Sequence, residues 1–326
     1  MILYLSLVGT KGISPFRKIN LLMNSILIFM VRVFIILVIS SVLISCSQKG
    51  SKNTVNKQAS VNEPVIDLST IAQMKVATAD GYRKVLGKLD QGDLESIHSA
   101  ILLFKNCETD SLSRDSMFVA FNDFFTNLAS GYLESNEKIN AQLNNSRSKD
   151  TIEQVRKLFA SYGIGLASSE GEYYLEPKYE YFLANFGSGL SQAYREYLAI
   201  DLQEQKVQFS DDAAILIPLD SLASRILIRE SFLEKYPTFI SAKMAQDQYA
   251  QYLGAYLAGM DNSRVFNLVT NRLNEEPKKS FEAFVANHPG RKSSEVVKDY
   301  LDLLRSTNYN YTDKVDSFLL SKVYQE

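Results

Sequence analysis

Two histidines, two cysteines, two acidic pairs and a row of tyrosines are the side chains of this 326-residue chain whose types could do chemistry. His98 sits between Ile97 and Ser99, where the polar face of a helix would hold it. His288 takes a position that an aromatic residue fills in two related segments, which points to packing. Neither belongs to a His-Glu-x-x-His pattern or any similar metal-ligand spacing. The strained Gly-x-Ser-x-Gly turn of serine hydrolases is missing, and so is a glycine-rich phosphate loop. The sequence therefore assigns no catalytic residue, no cofactor-binding residue and no metal ligand.

Carboxylate pairs are the remaining route to catalysis. Glu170 and Glu172 flank an expected turn, and Asp211-Asp212 precedes Ala-Ala-Ile-Leu-Ile-Pro. Glycoside cleavage needs two carboxylates at a defined separation in a cleft. A solvated turn and a loop or helix cap are the plainer roles for these two pairs. Tyrosine is abundant, with 18 in the chain. Tyr249, Tyr252 and Tyr256 recur at helical spacing, which makes that helix face the candidate binding surface. Packing between helices with the hydroxyl at the rim is the competing role.

Cysteine usage points elsewhere. Cys107 follows Ile101-Leu102-Leu103-Phe104 and reads as a half-buried small hydrophobe near a helix end. Cys46 closes the apolar run that begins at Val33, in the order Leu43-Ile44-Ser45-Cys46. This resembles the lipobox of bacterial lipoproteins. The resemblance implies diacylglycerol on the Cys46 thiol, cleavage before that residue and acylation of the new amino terminus. It also makes residues 1–45 a signal peptide, with Met23 or Met30 as the natural start. Residues 46–63 are polar and poor in apolar side chains, as a flexible tether would be. Two or more acyl chains give stable anchoring. The alternative is an uncleaved span over Ile26–Ile44, 19 residues broken by Arg32. Lys11, Arg17 and Lys18 stay cytoplasmic in either case, which places the rest of the chain outside the inner membrane. Ser47 replaces the aspartate that retains enteric lipoproteins in the inner membrane, so the resemblance favours the outer membrane and its periplasmic face.

Charge narrows the partners. Residues 1–45 hold four of the 35 basic side chains and no acid, leaving 31 against 37 acidic ones. A domain at net −6 has no attraction for nucleic acid.

The elements that must position these residues are mostly helical. Core-facing apolar residues recur over Asp67–Leu89, Asp93–Phe104, Arg114–Leu133 and Thr151–Tyr162. Asp93 is a candidate cap for the second of these, and Asn144 to Ser148 forms a break. Gly163 to Leu175 reads as a β-hairpin turning near Gly171. Asp261-Asn262-Ser263 is expected to cap a helix. A weak repeat follows Pro177: Phe182-Leu-Ala-Asn-Phe-Gly, Phe232-Leu-Glu-Lys-Tyr-Pro and Phe284-Val-Ala-Asn-His-Pro, with Ser191, Ser241 and Ser293 each near the start of another helix. Each copy is helix, stop, helix. This pattern resembles the tetratricopeptide-like helical hairpins of periplasmic lipoproteins, which implies a stack of α-hairpins.

The expected fold is all-α, a solenoid-like stack or bundle of helical hairpins with one small β-hairpin near 163–175. An N-terminal helical region over 64–145 packs with a C-terminal repeat region over 146–326. The expected function is a lipid-anchored binding or scaffold module for a protein or peptide. An envelope enzyme acting on cell-wall glycan or peptide through paired carboxylates is the alternative. A surface glycan binder is another, disfavoured by the absence of tryptophan.

Overall fold

The computed structural model describes residues 68–145, 148–169 and 171–324. The expected signal peptide, Cys46 and the tether lie outside the described residues, as does Glu170. One compact unit takes in Glu63–Asn310; residues 311–324 are the described part of a second.

Helices dominate the larger unit, as the apolar periodicity predicts. The segment before Leu89 divides into α1 (Leu68–Gln73) and α2 (Ala79–Leu86), with the Thr78 hydroxyl accepting the Gly81 amide at the start of α2. Helix α3 (Glu95–Lys105) begins where Asp93 accepts the Glu95 amide, and α4 (Ser111–Ser135) is the longest helix described. Asp110 caps α4 by accepting from the amides of Leu112 and Ser113. Helices α5 (Glu137–Asn145) and α6 (Lys149–Ser161) flank the expected break.

The β-hairpin is β1 (Ile164–Ser169) and β2 (Glu172–Pro177), antiparallel and close to its expected place. Alternation gives it two faces. Ile164 and Leu166 turn inward, while Ala167, Tyr174 and Glu176 lie on the other face. Gly163 enters the hairpin with φ +75°, and the space a Cβ would take there is occupied by the Tyr181 ring.

The repeat becomes three helical hairpins: α7 (Tyr179–Phe186) with α8 (Gln192–Gln205), α9 (Leu219–Lys235) with α10 (Ala242–Ala258), and α11 (Glu275–Asn287) with α12 (Lys292–Ser306). Phe182, Phe232 and Phe284, the repeated phenylalanines, are all buried. Ser191 accepts the Tyr194 amide to start α8, and Ser241 occupies the same place before α10. Ser293 instead lies inside the first turn of α12. Two buried acids reach across helices to these starts. Asp115 of α4 accepts the Ser191 amide, and Glu230 of α9 accepts the Lys292 amide and the Ser293 hydroxyl.

One core runs from Ile71 to Ala245 and so crosses the 145/146 boundary. Its centre is a set of mostly edge-to-face rings, Phe118, Phe121, Phe125, Phe182 and Phe186, with centroid separations of 4.4–6.2 Å. Such pairs add roughly 0.5–1.5 kcal/mol each beyond the area they bury.

The structure departs from the expected capping role of Asp261-Asn262-Ser263. Asp261 and Asn262 form a tight turn between β5 (Gly259–Met260) and β6 (Ser263–Arg264), which Ser263 begins, and the next helix starts only at Glu275. Asn and Asp tolerate turns as readily as caps, so local sequence fits both. The Asp211-Asp212 pair is also at a hairpin, between β3 (Ser210–Asp211) and β4 (Ala214–Ile215). Asp212 and Ala213 both take positive φ, as a type I′ turn requires, and Asn262 bonds the carbonyls of both. In the second unit, α13 (Asp313–Lys322) follows Tyr311, whose hydroxyl donates to Asp316.

Candidate functional site

A cleft of about 300 Å³ lies under the open face of the first β-hairpin. Ala167, Tyr174 and Glu176 form its roof, the start of α7 brings Tyr179, and α8 contributes Asp201, Glu204 and Gln205. Gln208, Phe209 and Ser210 follow α8, and α9 and α10 close the cleft with Arg225, Gln248 and Tyr252. Helical spacing explains the α8 group: Asp201, Glu204 and Gln205 are three and four residues apart and share a face.

Most polar groups here are engaged with one another. Arg229 is completely buried and donates from Nη2 to Asp201 at 2.6 Å and to Glu204, with Nε at 3.2 Å from Glu204. Its guanidinium lies 5.4 Å from the Tyr197 ring centroid, and Nη1 has no hydrogen-bond acceptor. Arg225 bonds the carbonyls of Glu204 and Val207, covering the end of α8, and reaches the Tyr252 hydroxyl at 3.4 Å. That hydroxyl donates to Glu204 at 2.8 Å. Gln248 donates to Asp201 and accepts from Tyr197, and Gln205 bonds Pro177 and Tyr179.

One buried arginine between two acids explains the titration. Burial outweighs the pull of Arg229 and pushes the Asp201 carboxyl up to about 6. The same two carboxylates hold Arg229 protonated more firmly than usual, against its own desolvation.

Glu176 behaves differently. It is half-buried, and its carboxylate meets no hydrogen-bond donor and no ion-pair partner among the described residues. Burial raises its pKa, with Lys178 a weaker opposing influence. Gly165 makes room for it across the hairpin. A Cβ on Gly165 would sit 2.9 Å from Glu176 Cγ and 3.1 Å from Oε1.

The sequence-derived candidates are dispersed. Tyr252 enters the cleft, but its side chain is buried and committed to Glu204. Tyr256 is fully buried, with its hydroxyl 2.8 Å from the Ser280 hydroxyl. Tyr249 lines a different hollow of about 460 Å³ at the α9–α10 turn, with Tyr236, Pro237 and Lys292. The acids of that hollow are satisfied: Glu230 caps α12 and Glu234 pairs with Arg291 at 2.9 Å. Glu172 is exposed at the hairpin turn, and Asp211 accepts the Ser169 hydroxyl.

No family model, no curated protein and no solved structure matches this chain. Among the described residues no group of three His, Cys, Asp or Glu side chains is placed to hold a metal ion.

The other candidates sit in ordinary packing roles. His98 bridges Glu95 and the Ser161 carbonyl, each at 3.1 Å, and stacks on Tyr162. His288 ends α11 and packs on Phe284. Cys107 is buried, its thiol donates to the Leu103 carbonyl, and burial raises its pKa.

Asp201, Glu204, Arg225 and Arg229 were not separable in the sequence from solvated charges on amphipathic helices. The one legible signal was that Arg225 and Arg229 fall among apolar neighbours on α9, at the spacing of its buried face.

Proposed function

We propose that this protein is a cell-envelope lipoprotein, held by lipid on Cys46 at the periplasmic face of the outer membrane, whose helical domain binds a peptide or protein in the cleft beneath the β-hairpin. The anchor rests on the Leu43-Ile44-Ser45-Cys46 sequence after its apolar run. The binding role rests on one observation above all: two of the cleft's three carboxylates, Asp201 and Glu204, are held by the buried Arg229, and Arg225 is held by the carbonyls at the end of α8. Groups locked in buried pairs shape and rigidify a cavity, whereas general acid–base work needs a carboxyl free to exchange its proton with substrate. The exposed Tyr174 and half-buried Tyr179 supply the aromatic surface that recognition sites favour.

A photo-crosslinking residue at Tyr174 tests this in living cells. The reading expects a discrete crosslinked partner from Tyr174 and none from an exposed position outside the cleft, such as Lys138. Equal crosslinking from both positions, or none from Tyr174, would sink it.

Convergence of Glu176, Asp201 and Glu204 on one cleft favours a second reading, an enzyme that cleaves cell-wall glycan or peptide. Release of cell-wall fragments by the purified protein, lost in Glu176→Gln, would select it.

A further inference from the structure

We propose that the cleft seats a cationic group, the ammonium or guanidinium of a lysine or arginine side chain, against Glu176 and the rings of Tyr174 and Tyr179. The inference rests on the reading of this cleft as the binding site and names the chemistry it selects.

Charge balance comes first. Glu176, Asp201 and Glu204 bring three carboxylates to the cleft; Arg225 lines it, and Arg229 is buried against Asp201 and Glu204. Both guanidinium groups are consumed by Asp201, Glu204 and the carbonyls at the end of α8. The unmatched negative charge belongs to Glu176. A half-buried carboxylate without a donor is a cost to the empty protein, and an incoming cation removes that cost. Lys178 lies beyond ion-pair distance and leaves the carboxylate available.

Position comes second. Glu176 is not a surface side chain that happens to point inward. It lies across strand β1 at Gly165, in space that any larger residue would take. The hairpin thus holds the carboxylate over the cleft on a rigid element, which is how binding groups keep their geometry.

Surroundings come third. Tyr174, which is exposed, and Tyr179, which is half-buried, line the cleft with Glu176. Ring faces attract cations, and a carboxylate beside them fixes the charge. The volume of about 300 Å³ is at the small end for ligand pockets and suits one extended side chain.

Free polyamines share this chemistry, so the test separates the two sources. The full chain in detergent is titrated by ligand-observed NMR with Nα-acetyl-lysine amide, Nα-acetyl-arginine amide, their neutral counterpart Nα-acetyl-norleucine amide, and spermidine. Saturable binding of a cationic probe, at least tenfold tighter than the norleucine amide, is expected, and the tighter of amino-acid amide and spermidine names the source. Glu176→Gln is expected to weaken it at least tenfold with the thermal midpoint unchanged. Gly165→Ala, which displaces the carboxylate without removing it, is expected to weaken it as well. Equal binding of the norleucine amide would overturn the cation while leaving the cleft a binding site. Absence of binding by every probe would overturn both. Glu176→Gln binding as tightly as the native protein would place the cation elsewhere and also overturn the proposal.

Discussion

Arg229 shows how far one residue can be from its sequence appearance. In the chain it is one of 35 basic side chains; in the fold no part of it reaches solvent. Removing one partner of a buried ionic group leaves the others uncompensated, at roughly 3–5 kcal/mol. Arg229→Ala is therefore expected to lose about that much in chemical denaturation, because Asp201 and Glu204 would remain buried without a cation. Asp201 gives a second prediction, in pH. Its folded pKa, about 6, lies above its ordinary value of 3.8. The folded state thus holds this proton more tightly than the unfolded chain does. The stabilisation is complete below 3.8 and is lost as pH rises through 6. Between pH 5 and 7 the native protein should lose about 1 kcal/mol relative to Asp201→Asn. Parallel stability profiles for the two proteins would contradict this. Beyond the apolar setting of Arg225 and Arg229 on α9, this network was not legible in the sequence, since Asp201 and Arg229 are 28 positions apart.

At the scale of elements the sequence was far more informative. Period and punctuation gave the helices, the β-hairpin and the three helical hairpins, because each depends on local rules: apolar spacing, a stop at glycine or proline, a polar residue at the start. Asp261-Asn262-Ser263 was misread for the same reason, since a tight turn and a helix cap draw on the same side chains and only the partner strand decides. The split between α1 and α2, and the cap at Asp110, were also not resolved by periodicity alone. Asp110→Ala should destabilise the protein slightly, as it frees two amides at the start of α4. Phe182→Ala should cost much more, about 3–5 kcal/mol, because its ring meets Phe118, Phe121, Phe125 and Phe186 at the centre of the core. Urea titrations of both variants check the order. A larger loss at Asp110 than at Phe182 would contradict the view that interlocked rings, rather than local capping, hold the hairpins together.

For the whole molecule, address and activity are written in different places. The proposed anchor is a short motif at the end of an apolar run, legible because membrane export reads linear sequence. The cleft is assembled from the β-hairpin, two helical hairpins and the segment after α8, so no stretch of sequence announces it. Among the described residues no helix is long and apolar enough to cross a membrane. In the proposed lipoprotein reading, membrane attachment depends on Cys46. The most direct test grows cells with a fatty-acid probe and fractionates the native protein beside Cys46→Ala. The account predicts that the native protein takes the label and sediments with the outer membrane, while Cys46→Ala takes none. A native protein that never labels, together with a Cys46→Ala variant that remains in the membrane, would make residues 26–44 a true span and contradict the lipoprotein reading.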